Sequence, residues 1–92
     1  MRIMGLDLGT RTIGVAVSDE MGLIARGMET IRRSGPKNDL ARLHELVQKE
    51  EVGAFVLGYP KNMNGTIGER GKASEAFSKL LQAEFPDAKI TL

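Results

Sequence analysis

Short apolar runs separated by turn residues occupy the first third of the chain. Residues 2–8 and 12–18 are mostly apolar, and the second run is rich in β-branched side chains, so both are predicted to form β-strands. The segment 9–11 between them is short enough for a hairpin turn, which would pair the strands antiparallel. A weaker run over 23–31 predicts a third strand, and the three strands together form a meander.

The pattern becomes helical after the break at Ser34-Gly35-Pro36. Either Asn38 or Asp39 is predicted to cap the helix that begins there, because both side chains can accept a hydrogen bond from a free backbone N–H. Helical spacing predicts an apolar face made of Leu40, Leu43, Leu46 and Val47.

A strand, a helix and a further strand are predicted for the rest of the chain. The apolar run 54–57 predicts a buried strand, and a second helix is predicted over 68–85, ending at Pro86. Its apolar stripe is predicted to hold Ala73, Ala76, Phe77, Leu80 and Leu81. Residues 88–92 begin a fifth strand. The order β-β-β-α-β-α-β predicts a mixed five-stranded α/β sheet whose first strand lies between the second and the fourth.

Composition and charge indicate a single domain over residues 1–92, with 41% apolar and 27% charged residues. The chain has no cysteine, which excludes a disulfide-stapled secreted module and is compatible with a cytoplasmic location. No apolar stretch approaches the length of a membrane span, and the apolar start is too short for a signal peptide, so no membrane partner is expected. A net charge of +1 means that any polyanion site must be a local patch.

One ionisable residue, Asp7, interrupts the first apolar run just before the predicted turn. The predicted order places it at the carboxyl end of a central strand, where open α/β sheets hold their ligands. The flanking Gly5 and Gly9 would let a phosphate backbone come close. Two interpretations stay open: Asp7 caps the turn through its own side chain, or it is a metal-binding or catalytic carboxylate.

Two groups of polar residues could bind phosphate beside Asp7. The turn Gly9-Thr10-Arg11 offers backbone N–H groups, the hydroxyl of Thr10 and the guanidinium of Arg11. The loop after the fourth strand and the start of the second helix add Lys61, Asn62, Asn64 and Arg70. Each group is also what ordinary turn and surface residues would look like.

Other charged residues near the strand ends are interpreted as surface residues. Arg32 and Arg33 end the third predicted strand, where a solvated pair is favoured over contact with nucleic acid. Asp19 follows the second strand and is expected at the edge of the sheet opposite Asp7.

Two motif regions together resemble a known family. The stretch "MGLDLGTRTIGVAVSDE", followed at matching spacing by "VLGYPKNMNGTIGERGKAS", is similar to the YqgF/RuvX proteins, and the resemblance covers essentially the whole chain. These proteins are associated with Holliday junction resolution and with processing of pre-16S ribosomal RNA, and their fold is ribonuclease H-like. The resemblance implies a metal-dependent nuclease, a hydrolase of phosphodiester bonds whose partner is an rRNA precursor or branched DNA.

The resemblance also implies roles for individual residues. Asp7 would be catalytic and would bind Mg²⁺ or Mn²⁺, as the first of a set of acidic metal ligands. The phosphate-binding residues that face the substrate would be Gly9, Thr10, Arg11, Lys61, Asn62, Asn64 and Arg70.

The end of the chain departs from the family pattern. Family members continue past the fifth strand through a Trp-Asp-Glu-Arg-Leu-Thr-Thr segment with a second acid, to a final helix with a third. This chain ends at Ile90-Thr91-Leu92, so it is expected to be truncated, to lack the C-terminal helix and to be inactive or impaired. Glu69 is the remaining acid considered as a substitute. The sheet face left open is expected to promote a homodimer or other self-association.

Two alternative functions come from different classes of protein. A non-catalytic nucleic-acid-binding remnant would keep the basic loops without the acid cluster, and its affinity would fall with salt. An actin- or Hsp70-like phosphate-binding domain would use the same strand and Asp-Leu-Gly-Thr turn to hold nucleotide phosphates. That second alternative requires a duplicated domain around a cleft, and 92 residues are too few to form one.

Overall fold

The computed structural model describes residues 1–21, 25–58 and 69–92, the first two residues of the last range by their backbone alone. Within these ranges the elements are β1 (Arg2–Leu8), β2 (Thr12–Ser18), β3 (Ala25–Arg32), α1 (Pro36–Glu50), β4 (Val52–Leu57), α2 (Glu69–Glu84) and β5 (Lys89–Thr91). The predicted order of strands and helices is confirmed, and the bounds of the first two strands match the predicted ranges.

The strands form one mixed five-stranded sheet in the order β3-β2-β1-β4-β5. β1 pairs antiparallel with β2 and parallel with β4, and β5 adds parallel to β4. β1 is therefore central, as predicted, and its carboxyl end lies beside the carboxyl end of β4 and the start of β2. In this register Asp7 lies opposite Gly14, and Leu6 lies opposite Leu57.

Alternating residues of the central strands build the core on one face of the sheet. On β1 and β2 the buried positions are Met4, Leu6, Leu8, Ile13, Val15 and Val17. The helices contribute Leu40, Leu43, Leu46, Phe77 and Leu81 to the same core. Because side chains alternate across a strand, the odd-numbered residues of β1 face the opposite side of the sheet.

The first helix begins earlier than predicted, and its predicted cap is wrong. α1 starts at Pro36, which suits a first turn because it has no N–H to leave unpaired. Gly35 is the N-cap residue, with a positive φ of 124°. Asn38 and Asp39 lie inside the helix. From there the Oδ1 of Asp39 reaches back and accepts a 3.0 Å hydrogen bond from the backbone N–H of Ser34.

The second helix buries a different stripe from the one predicted. Phe77 and Leu81 are buried as expected. The other predicted members are exposed: Ala73, Ala76 and Leu80. Ser74 is buried instead and continues the row of Phe77 and Leu81 at spacings of three and four residues. Neither α1 nor α2 is long and apolar enough to cross a membrane.

Candidate active site at the carboxyl end of β1

Asp7 lies near the carboxyl end of the central strand, with its side chain on the face opposite the core. Its neighbours Leu6 and Leu8 are buried, so the alternation of the strand turns Asp7 outward, where it is exposed. An exposed carboxylate keeps its hydration and needs no buried partner. Within the described residues no hydrogen bond is donated to it, so the turn-capping interpretation finds no support in this part of the chain.

Glycines leave open space around the Asp7 carboxylate. A β-carbon at Gly14 would lie 3.6 Å from Cβ of Asp7, and one at Gly58 would lie 3.8 Å from its Oδ1. A β-carbon at Gly5 would meet nothing within 4 Å. With the neighbouring strands these glycines line a shallow depression of about 680 Å³. A sugar–phosphate backbone or a hydrated ion can therefore approach Asp7 closely.

The turn that follows Asp7 keeps only part of the predicted set of phosphate donors. The N–H of Gly9 donates a 2.7 Å hydrogen bond to the carbonyl of Thr12, so this predicted donor is already engaged. A β-carbon at Gly9 would lie 3.0 Å from the same carbonyl oxygen, which accounts for glycine there. Thr10 and Arg11 are exposed, and within the described ranges neither side chain has a hydrogen-bond partner. Their hydroxyl and guanidinium groups are available to a ligand.

The second predicted group of phosphate donors falls largely outside the described residues. Its loop members lie there: Lys61, Asn62 and Asn64. Arg70 belongs to the first turn of α2 and is described by its backbone alone. Gly58 leads into this loop and donates its N–H to the carbonyl of Leu6 at 3.0 Å. Gly58, the last described residue before that segment, therefore lies beside Asp7, as the predicted strand order requires.

Arg33 is a residue of this site that the sequence interpretation missed. The prediction that Arg32 and Arg33 form a solvated pair is wrong for Arg33. Its Nη1 donates a 2.7 Å hydrogen bond to the carbonyl of Gly9. Its backbone N–H donates a 2.8 Å hydrogen bond to the carbonyl of Arg11. The signal in the sequence was the meander itself. Because β3 pairs with β2, the residue that follows β3 is brought beside the β1–β2 turn.

Among the side chains that the structure describes, the other acids near Asp7 are committed elsewhere or lie too far away, and Glu69 is described by its backbone alone. Glu29 lines the depression, but its carboxylate accepts hydrogen bonds of 2.6 and 3.0 Å from Arg42 of α1. These hydrogen bonds lower the pKa of Glu29, although burial opposes them. Asp19 follows the end of β2 and lies at the opposite end of the β1–β2 pair, as expected. The described part of the chain has no group of three or more His, Cys, Asp or Glu residues that could hold a metal ion.

The donor chemistry at Asp7 fits a hydrated divalent ion rather than a closed metal site. Mg²⁺ prefers oxygen ligands, uses one or two protein carboxylates and keeps several of its waters. Asp7 supplies one such carboxylate, and the glycines beside it leave room for the waters. A fully protein-enclosed ion would need further ligands, which the described residues do not supply.

The chain matches one family model along its whole length, residues 1–92, described as "RuvX: Holliday junction resolvase". The chain belongs to the RuvX family. A curated relative from Desulfitobacterium hafniense, named "Putative pre-16S rRNA nuclease", is 61% identical over 85 residues, which cover 92% of this chain and 58% of the relative. Among the curated relatives of the RuvX family that it matches, this chain spans about three fifths of their length.

Solved structures share the fold of this RuvX-family chain at low sequence identity. T. thermophilus RuvC, in complex with a Holliday junction substrate, is 19% identical with a TM-score of 0.54, over 98% of this chain and 62% of that one. A Bacteroides thetaiotaomicron protein with an actin-like ATPase fold is 13% identical with a TM-score of 0.58, over 98% of this chain and 32% of that one. At these identities the likeness shows the fold alone. The predicted α/β, ribonuclease H-like class is confirmed.

Proposed function

We propose that this chain carries the Asp7 end of a metal-dependent nuclease that hydrolyses phosphodiester bonds in structured nucleic acid. One observation supports this above the others: Asp7 is exposed at the carboxyl end of β1, in a depression lined by glycines. The substrate class is a precursor of 16S ribosomal RNA or a branched DNA such as a Holliday junction. Membership of the RuvX family and the names of its relatives support both substrates.

Each residue of the site has a part in this proposal. Asp7 would hold Mg²⁺ or Mn²⁺, and the bound ion would supply Lewis-acid stabilisation of charge on the phosphate. The Thr10 hydroxyl and the Arg11 guanidinium donate to phosphate oxygens, and the glycines beside Asp7 let the nucleic-acid backbone approach. Gly9 shapes the turn through its hydrogen bond to Thr12. The proposal extends to the remaining phosphate donors, Lys61, Asn62, Asn64 and Arg70.

A second candidate function is binding of nucleic acid without cleavage. It is favoured by one observation: the described residues contain no group of three or more His, Cys, Asp or Glu side chains that could form a multi-carboxylate metal site with Asp7. Cleavage through two metal ions about 4 Å apart needs ligands for both ions, and a single carboxylate supplies too few. Under this candidate the exposed Arg11 and Thr10 still bind phosphate, and affinity falls as salt rises.

Metal binding at Asp7 is the first test. Adding Mn²⁺ to the ¹⁵N-labelled chain is expected to broaden the amide NMR signals around Asp7 and Gly58. Asp7→Asn is expected to weaken this binding by about tenfold or more, because even the loss of an outer-shell partner costs that much. Asp87→Asn is the matched control, since Asp87 is an exposed acid before β5, at the other end of the sheet. Equal broadening in both variants would reject Asp7 as the metal ligand.

Cleavage assays separate the two candidate functions. The chain and Asp7→Asn are incubated with precursor 16S rRNA or with a four-way DNA junction, with and without Mg²⁺. Metal-dependent cleavage that Asp7→Asn abolishes supports the nuclease, and binding without cleavage supports the second candidate. Cleavage that survives Asp7→Asn would reject the proposed catalytic role of this residue.

A further inference from the structure

Arg33 holds both ends of the turn that follows Asp7. Its guanidinium donates a 2.7 Å hydrogen bond to the carbonyl of Gly9, where the turn begins. Its backbone N–H donates a 2.8 Å hydrogen bond to the carbonyl of Arg11, where the turn ends. A guanidinium donor to a carbonyl is a charge-assisted hydrogen bond, which is stronger than one between neutral groups.

The Arg33 guanidinium is itself fixed by a buried acid of α1. Oδ2 of Asp39 lies 3.8 Å from Nε of Arg33, an ion-pair separation, and this carboxylate is only 2% exposed. Its other oxygen accepts the backbone N–H of Ser34 at 3.0 Å, so the carboxylate cannot rotate freely. The next residue, Leu40, anchors this turn of α1 in the core. Arg33 therefore contacts both α1 and the turn.

The turn has little support of its own. Its internal backbone hydrogen bond runs from the N–H of Gly9 to the carbonyl of Thr12. Thr10 and Arg11 are exposed at its tip, and neither side chain is tied to another described residue. Few contacts at an exposed turn allow local opening at low free-energy cost. The two hydrogen bonds from Arg33 therefore add to the Gly9–Thr12 hydrogen bond and to the pairing of the flanking strands in holding this segment in place.

We propose that Arg33 is a positioning residue of the Asp7 site, which fixes the turn so that Thr10 and Arg11 are presented to phosphate beside Asp7. Arg33 acts through the carbonyl groups of Gly9 and Arg11, not through contact with the ligand. This inference rests on the proposed function in one respect, which is that the ligand of the turn is a phosphate group of nucleic acid.

Two other roles for Arg33 predict different behaviour. The side chain is 30% exposed, so a direct contact with nucleic acid is one alternative. In that case its loss weakens binding and leaves the turn unchanged. General support of the fold is the other alternative, and in that case its loss loosens the core as much as the turn.

Hydrogen exchange of backbone amides tests the positioning role without any ligand. Arg33→Met keeps the aliphatic stem but removes the guanidinium, and Arg33→Lys keeps a charged donor. Arg32→Met is the matched control, because Arg32 is an exposed arginine next in sequence, with no side-chain hydrogen bond to the described residues. Arg33→Met is expected to speed exchange at the amide of Gly9, whose N–H is hydrogen-bonded to Thr12 within the turn, by about tenfold, the loss expected for a hydrogen bond from a charged group.

The pattern of exchange decides the result. Arg33→Lys is expected to recover part of the protection, and Arg32→Met is expected to match the parent chain. Exchange at the buried amides of Leu6 and Val15 should stay unchanged in all variants. Equal acceleration at those core amides, or no difference between Arg33→Met and Arg32→Met at the turn, overturns the proposal.

Binding of a four-way DNA junction in Mg²⁺ is the second measurement. Arg33→Met is expected to lower affinity by severalfold, in step with the loss of protection at the turn, and Arg33→Lys to restore part of both. Weaker binding with an unchanged turn means direct contact and overturns the proposal. If the parent chain binds neither Mn²⁺ at Asp7 nor the junction, the proposed function fails, while the exchange measurement still decides the role of Arg33.

Discussion

At the scale of single residues, three acids in the part of the chain that the structure describes form ion pairs with arginines that connect α1 to a strand or to a strand end, whereas Asp7 is open to solvent. Such bridges are Glu29 with Arg42, Asp39 with Arg33, and Glu50 with Arg2 and Arg26. The ion pairs hold these carboxylates in place, so they are not available to bind a ligand. The carboxylate of Asp7 has no such partner among the described residues, so it can exchange water for a cation without breaking an ion pair of the fold.

The Glu29–Arg42 pair should make stability depend on pH. The hydrogen bonds from Arg42 lower the pKa of Glu29 in the folded state. A lowered folded-state pKa gives stability that is present above the unfolded-state pKa and is lost as pH falls through the folded-state value. Glu29→Gln should therefore be less stable than the parent chain near neutral pH, and the difference should shrink in acid. Urea unfolding of both proteins over a pH series measures this difference.

Glu45→Gln is the control for that series. Glu45 also contacts Arg42, at 3.4 Å, but it is exposed and the pair is weak. Its substitution should change stability little at any pH. A gap between Glu29→Gln and the parent chain that stays constant down to strongly acidic pH would contradict the linkage argument.

At the scale of elements, the buried face of α2 should be visible in a pair of neighbouring leucines. Leu81 is fully buried and Leu80 is 41% exposed. Leu81→Ala is expected to lower the free energy of unfolding by about 3 kcal/mol, because a buried leucine leaves a cavity. Leu80→Ala is expected to cost less than about 1 kcal/mol, because the Leu80 side chain is already partly exposed to water and its loss leaves little cavity. Thermal or urea unfolding decides, and equal losses would contradict the observed face.

The sequence predicted strands better than helix faces, for a physical reason. Alternation over residues 2–8 and 12–18 leaves only one register that buries Leu6 and Val15 together, so those bounds were recoverable. In α2 the small residues Ala73 and Ala76 suit either face, and the burial of Ser74 depends on what α2 packs against. That information is tertiary and has no local signature.

The start of α1 shows a similar limit. Asp39 is a good capping residue in isolation, but its carboxylate accepts its hydrogen bond from inside the first turn, three residues after Pro36. Local propensity identifies that a helix begins near this segment, whereas the hydrogen bond from Ser34 to Asp39 is seen only in the folded structure.

At the scale of the whole molecule, the two ends of the sheet are built differently. At one end Asp7 lies beside glycines and before an exposed turn, and this arrangement was predictable because the strand order brings the ends of β1 and β4 together. The role of Arg33 was not recovered, because it depends on the exact pairing of β3 with β2. Ile3 and Val56 are 40% and 45% exposed on the face opposite the core, and self-association through that face stays a prediction.

The opposite end of the sheet is closed by Glu50, the last residue of α1. This buried carboxylate accepts hydrogen bonds from Arg2 of β1 at 3.3 Å and from Arg26 of β3 at 2.7 Å, so one side chain joins a helix to two strands. Glu50→Gln keeps the size but removes the charge that both arginines face. We expect the free energy of unfolding to fall by about 1–2 kcal/mol, the range for hydrogen bonds to charged groups when the donors are partly exposed.

Glu50→Gln should leave the site around Asp7 intact, because Glu50 contacts the start of β1 through Arg2, whereas Asp7 lies near the end of that strand. Mn²⁺ broadening at Asp7 should match the parent chain, while urea unfolding shows the loss of stability. Glu51→Gln is the control, since Glu51 is the exposed neighbour of Glu50, with no side-chain hydrogen bond to the described residues. A loss of stability no larger than that of Glu51→Gln would show that Glu50 does not clamp the sheet. Loss of Mn²⁺ binding would show that the two ends of the sheet are coupled.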